Sequence, residues 1–202
     1  MDYELVELPR LNPALETQTK NLLLLGFSMP TLYPCIRGSD PPLYRDKFFD
    51  EVWGLNELYL FIDRYHRWFE MHKLEHVEET WRASNHGKWL RQCPVPLYML
   101  EKHPEIPNSI KFPAREMVLK FGSEWFSSSL AYMLALAIYE KIFKEIHIYG
   151  VDLATKEEYI IQRPGFMHLV WVARAEGTTI YFPSECALLH PMPLYGFDKE
   201  LD

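Results

Sequence analysis

The feature that most constrains this chain is a helix pattern running straight into a strand pattern between Ser127 and Asp152. Ser127 to Phe143 (SSSLAYMLALAIYEKIF) is rich in Ala, Leu and Met and opens on three serines that suit N-caps. Its apolar character extends to nearly every side, which predicts deep burial. Ile146 to Val151 (IHIYGV) follows at once as a strand and ends at Asp152. A helix joined so tightly to a strand belongs to a packed βα layer, and the rest of the chain repeats the alternation. Asn21 to Phe27 (NLLLLGF) is a continuous apolar run, as in a strand covered on both faces. Asp50 to Leu55, Arg67 to Met71, Val95 to Leu100 and Thr179 to Phe182 read as further strands. Pro96 marks a sheet edge or a strand end. Helices are predicted over Glu57–Tyr65, Val77–Arg91 and Val170–Glu176, and Glu157 to His168 reads as a loop over the strand ends. The expectation is an α/β fold, a single Rossmann-like domain over 1–202 with a mainly parallel central sheet flanked by helices. Residues 1–20 are expected as an N-terminal extension and 190–202 as a C-terminal tail. Leu22–Leu25, Val52–Leu55 and His147–Val151 are expected as neighbouring central strands.

Composition narrows the function classes. A net charge of −7 excludes broad attraction to nucleic acid or acidic lipid. Cys35, Cys93 and Cys186 are far apart and odd in number, against a disulfide scaffold or a cysteine zinc knuckle. No leader pattern opens the sequence, and the longest apolar stretch, Leu130 to Tyr139, is about half of the ~20 residues a membrane span needs. A cytoplasmic protein with no membrane span is expected.

In parallel sheets ligands bind beyond the carboxyl ends of the strands. That directs attention to Gly26, Ser28, Asn56, Glu70, His72 and Asp152. Gly26 permits close backbone approach and Ser28 can donate a hydrogen bond, although a plain strand-to-loop turn explains both. Ser127, Ser128 and Ser129 open the apolar helix, where amides and hydroxyls together suit a phosphate; capping alone needs one of them. Asn56 can both donate and accept toward a base or ribose. Asp152 can accept from a ribose hydroxyl or orient the loop beyond it. Tyr159, Gln162, Arg163 and His168 supply a phenol, an amide, a guanidinium and an imidazole, or else simply a surface loop. His72, Glu75 and His76 match the HxxEH spacing of inverted zinc peptidases, a third and lowest-ranked reading. No Walker lysine, GxGxxG or GxSxG element is present. No cofactor and no metal is expected.

The tract SSSLAYMLALAIYEKIFKEIHIYGVDLATKEEY resembles the corresponding stretch of bacterial sialyltransferases that use CMP-sialic acid on a Rossmann-like fold. The Gly26 strand and the WGLNELY tract resemble that family's two earlier nucleotide-contacting segments. ARAEGTTIYFPSECALL resembles its last strand and the turn after it. A comparable glycine strand and Asn-ended strand occur in archaeal-type pterin diphosphokinases. The pattern YGVD…EY…QRPG…LYG is most similar to that of small bacteriophage proteins, which would place the chain in a host cytoplasm. The likeness covers Asn21 to Leu189 in outline and is dense from Ser127 to Tyr159.

The resemblance implies a nucleotide pocket lined by Gly26, Ser28, Asn56, Ser127, Ser128 and Asp152, with a nucleotide or nucleotide sugar as partner. It also implies Tyr159 on the leaving phosphate and His168 as base. Two positions depart from it. Trp125 or Phe126 stands where the family has a carboxylate-binding arginine, and Ala154 stands near a second phosphate-contacting tyrosine. Two functions therefore compete: a nucleotide-sugar transferase, and a non-catalytic protein that captures a nucleotide signal.

Overall fold

The structure, a computed structural model, describes residues 4–80 and 85–189. The C-terminal tail expected over 190–202 lies outside the described residues. The elements run β1 (Leu5–Leu8), β2 (Lys20–Leu25), α1 (Met29–Leu32), β3 (Glu51–Leu55), β4 (Arg67–Glu70), α2 (Leu74–Thr80) and α3 (His86–Gln92). They continue with β5 (Leu97–Met99), β6 (Ser109–Lys111), α4 (Ala114–Phe121), α5 (Ser129–Glu140), β7 (Phe143–Tyr149), α6 (Arg163–Ala175) and β8 (Thr179–Pro183). The eight strands among the described residues form one sheet in the order β1-β8-β7-β2-β3-β4-β5-β6. Every neighbouring pair is parallel except β1–β8. The fold is α/β with a mainly parallel sheet, and β7, β2 and β3 are adjacent at its centre, as the sequence predicts.

The apolar run of β2 serves both faces of the sheet. Strand side chains alternate sides, so Leu22 and Leu24 pack with Trp53, Phe69 and the buried faces of α4, α5 and α6. Leu23 and Leu25 pack on the opposite face with Val52, Trp68, Leu97 and residues of α1, α2 and α3. A helix buried as α5 is, with Ala131 and every residue from Met133 to Ile138 buried, fills the first layer.

Four expectations need correction. The long apolar helix is shorter than read: Lys141 takes a left-handed φ of 55° that ends α5, and Phe143 already belongs to β7, its ring edge-on to Trp53 at 5.4 Å. Val77–Arg91 is not described as one helix; α2 ends at Thr80, α3 starts at His86 after Asn85 at φ 55°, and 81–84 lie outside the described residues. Glu57–Tyr65 folds as a short 3-10 turn over Asn56–Leu60. The segment read as a loop is helical, a π-turn over Glu158–Gln162 leading into α6. Its Pro164 sits in the first turn of α6, where a missing N–H costs nothing. Sequence reading also missed β1, β6 and α4. Among the described residues no helix is long and apolar enough to cross a membrane.

Candidate functional site

From β2 the chain runs outward through β3 to β6, then returns to place β7 and β8 on the other flank of β2. The turns leaving β2 and β7 therefore diverge, and such a switch point opens a crevice at the carboxyl edge. Here it is a cleft of about 850 Å³. Phe27 and Ser28 enter it after β2, Leu55 and Asn56 at the end of β3, Met71 and His72 after β4, and Gly150 to Thr155 after β7. The start of α5, from Phe126 to Leu130, closes one side, and Glu158, Gln162, Glu185 and Ala187 complete the wall.

The structure brings together Ser28, Asn56, Ser127, Ser128, Ser129 and Asp152. Asn56 leaves β3 with φ 48°, in the left-handed region that Asn tolerates better than most residues. Its carbonyl accepts from Trp68 Nε1 at 3.0 Å, whereas its side-chain Oδ1 is buried without a hydrogen-bond partner among the described residues. Ser128 is the extended N-cap of α5, its Oγ accepting from the Ala131 amide at 3.2 Å. Ser127 Oγ donates to the Ile161 carbonyl at 2.9 Å. The Ser129 hydroxyl makes no hydrogen bond among the described residues, and the first amides of a helix have no intrahelical acceptor. Asp152 is nearly buried, and its carboxylate accepts from Ser28 Oγ, from Thr31 Oγ1 at 3.3 Å and from the Ala187 amide at 3.2 Å. It fastens the turns after β2 and β8 to the end of β7.

Gly26, Tyr159 and His168 do not line the cleft. Gly26 instead lets two strand ends meet: a Cβ there would lie 2.3 Å from the Gly150 carbonyl oxygen. Tyr159 lies in the π-turn, 43% exposed, with the Arg163 guanidinium 4.8 Å from its ring centre. Arg163 donates to the Leu188 carbonyl at 2.9 Å and so holds the turn after β8. His168, on α6, stacks on Trp125 at 4.1 Å. The HxxEH geometry is not formed, because His72 precedes the helix on which Glu75 and His76 lie. Among the described residues no group of three or more His, Cys, Asp or Glu side chains is placed to hold a metal ion.

His72 belongs to a different constellation. Glu70, fully buried at the end of β4, accepts through Oε1 from the His72 amide at 3.2 Å and contacts His72 Nδ1 at 2.6 Å. Its Oε2 meets Nε2 of the buried His86 at 2.7 Å. Burial pushes the Glu70 carboxyl up, but the bonds from His72 and His86 outweigh it and hold the group below its usual value. Sequence reading marked Glu70 and His72 as strand-end residues but not this pairing, and it missed His86, Glu158 and Glu185. Among the described residues the ionisable lining groups are His72, Tyr132, Asp152, Glu158 and Glu185, with no Lys or Arg. An anion here would be met by the α5 amides and the hydroxyls around them.

No family model matches the sequence, and no curated protein is similar enough to stand as a relative. Among solved structures the chain is similar to the sialyltransferase CstII from Campylobacter jejuni, solved in complex with a substrate analogue, cytidine-5'-monophosphate. The two share 14% identity at a TM-score of 0.46 over 78% of this chain and 77% of that one. A likeness of that size leaves the cleft to be understood from its own geometry.

Proposed function

We propose that the switch-point cleft binds a nucleotide or nucleotide sugar. The observation that carries this reading is Asn56, a lining residue of the cleft whose Oδ1 is a buried acceptor without a partner among the described residues. It lies beside the start of α5, where Ser128 caps the Ala131 amide and the Ser129 and Leu130 amides come before it. An unsatisfied buried acceptor costs about 1–3 kcal/mol, which a ligand N–H or O–H recovers. The α5 amides, with roughly half a positive charge at the helix start, suit a phosphate. A molecule with a donor-bearing base or sugar at one end and a phosphate at the other meets both demands. The position at the switch point is also where doubly wound, Rossmann-like sheets take nucleotides.

The test is a thermal-shift and calorimetric panel of nucleoside mono- and diphosphates and their sugar conjugates. A ligand of the folded state raises the melting temperature. Asn56→Gly deletes the side chain without straining the left-handed backbone, and it should weaken binding about tenfold, the equivalent of ~1.4 kcal/mol. No shift from any member of the panel, or binding indifferent to Asn56→Gly, would refute the reading. The placement of Tyr159 and His168 outside the cleft favours capture of the nucleotide over transfer by those two residues. Under that second reading Tyr159→Phe leaves binding unchanged.

A further inference from the structure

Capture alone leaves the Glu70–His72 pair unexplained. A carboxylate only accepts hydrogen bonds, so the 2.6 Å contact places the His72 proton on Nδ1 and the lone pair on Nε2. Glu70 cannot swing away, since His86 holds its other oxygen at 2.7 Å inside the core. Tying β4 to α3 needs only the His86 bond. The second bond goes to a ring that is 36% exposed and lines the cleft. Among the described residues, the other ionisable groups about His72 include His76 on α2, with ring centres 5.8 Å apart, His86 on α3 beyond Glu70, and the cleft residues Tyr132, Asp152, Glu158 and Glu185. A buried carboxylate that fixes the tautomer of an imidazole is an arrangement suited to proton transfer, because it also stabilises the imidazolium that forms.

We propose that His72 is the general base of this cleft and Glu70 its positioning residue, so that a bound nucleotide sugar is consumed rather than held. The proposal rests on the nucleotide-sugar reading of the cleft. In the step, the oxygen of a hydroxyl acceptor or of water bonds to the anomeric carbon. The bond from that carbon to the phosphate oxygen breaks, and the phosphate keeps the electron pair. The acceptor proton passes to Nε2 of His72.

The experiment incubates the full chain with a set of nucleoside mono- and diphosphate sugars, in water alone and with simple glycosides as acceptors. Released nucleotide is quantified by chromatography, and binding of the same compounds is followed by thermal shift. A compound that binds should be cleaved, and His72→Gln should lower kcat by roughly 10²–10⁴-fold while KM and the thermal shift persist. Glu70→Gln should lower kcat less, with KM and the thermal shift unchanged, a split that a merely structural role would not give. If that buried variant fails to fold, His72→Gln decides. Binding without cleavage, or cleavage that survives His72→Gln within about threefold of wild type, overturns the general base and leaves the binding site standing. Neither binding nor cleavage removes both.

Discussion

Substitution of Gly26 by Ala tests how the floor of the cleft is built. The ends of β2 and β7 approach so closely that an added Cβ would lie 2.3 Å from the Gly150 oxygen and 2.8 Å from Val151 Cγ2. Carbon–oxygen contacts ordinarily start near ~3.3 Å, so the strand ends must part by about 1 Å. Neither obstacle is the tip of a long side chain that can turn aside. Parting the ends stretches the 2.8 Å bonds from Gly26 N to the Tyr149 carbonyl and from Ser28 N to the Gly150 carbonyl. Those two bonds are worth about 1 kcal/mol each, and overpacking adds about 1–3 kcal/mol. The expected loss is therefore about 3–5 kcal/mol. At ~2–4 °C per kcal/mol for a domain of this size, the melting temperature should fall by roughly 6–20 °C. Urea unfolding should show an earlier midpoint with an unchanged slope. Because Ser28 and Asp152 move with those strand ends, any nucleotide-induced shift should shrink as well. A loss below ~1 kcal/mol would refute the argument, since it would mean that the sheet ends yield without breaking either bond.

Ala135, fully buried in the α5 layer, should tolerate a larger residue badly; Ala135→Leu should cost about 1–3 kcal/mol by urea unfolding, and a neutral result would mean slack packing around α5. His147 is buried against Tyr181, Phe48 and Phe49, and that burial pushes its imidazole below the usual value despite the Glu145 carboxylate 3.5 Å away. Below pH ~6.5 the unfolded chain therefore takes up a proton that the folded chain refuses, so stability falls as pH drops through that window. His66, lowered chiefly by burial, adds to the same slope. His147→Gln should flatten unfolding free energies measured between pH 5 and 7 without abolishing the slope, and an unchanged slope would refute the assignment.

The central sheet was legible because β2 from Leu22, β3 and the last four residues of β7 are buried on both faces, a pattern suited to a covered parallel strand. The edges were not. β1 and β6 are four and three residues long and largely exposed, so their strand character comes from pairing with β8 and β5 rather than from local pattern. The start of α6 was hidden by the Pro164-Gly165 pair, which reads as a breaker. In the fold Pro164 opens the helix, and Gly165 sits where a Cβ would lie 2.5 Å from the Trp125 carbonyl oxygen. Tertiary contact, not propensity, selected that glycine.

The same distinction separates the strand-end residues that meet in the cleft from those that lie outside it. Ser28, Asn56, Asp152 and the serines of α5 converge because each ends a strand or opens a helix, and topology alone sends such positions to one edge of a parallel sheet. Tyr159 and His168 lie in a segment whose sequence predicts a loop, in which any side chain is free to turn inward. Folded as a helical turn, that segment has faces. Glu158 and Gln162, four residues apart, share the face that lines the cleft, while Tyr159, one residue on, points elsewhere. His72 sits just past a strand, as the sequence predicts, so helix spacing toward Glu75 and His76 does not apply to it. Strand spacing looks back two positions, to Glu70, and that is the carboxylate that holds the ring. A histidine two residues beyond a buried acidic residue at the carboxyl end of a parallel strand therefore has its carboxylate on the same side and the ligand crevice ahead of it.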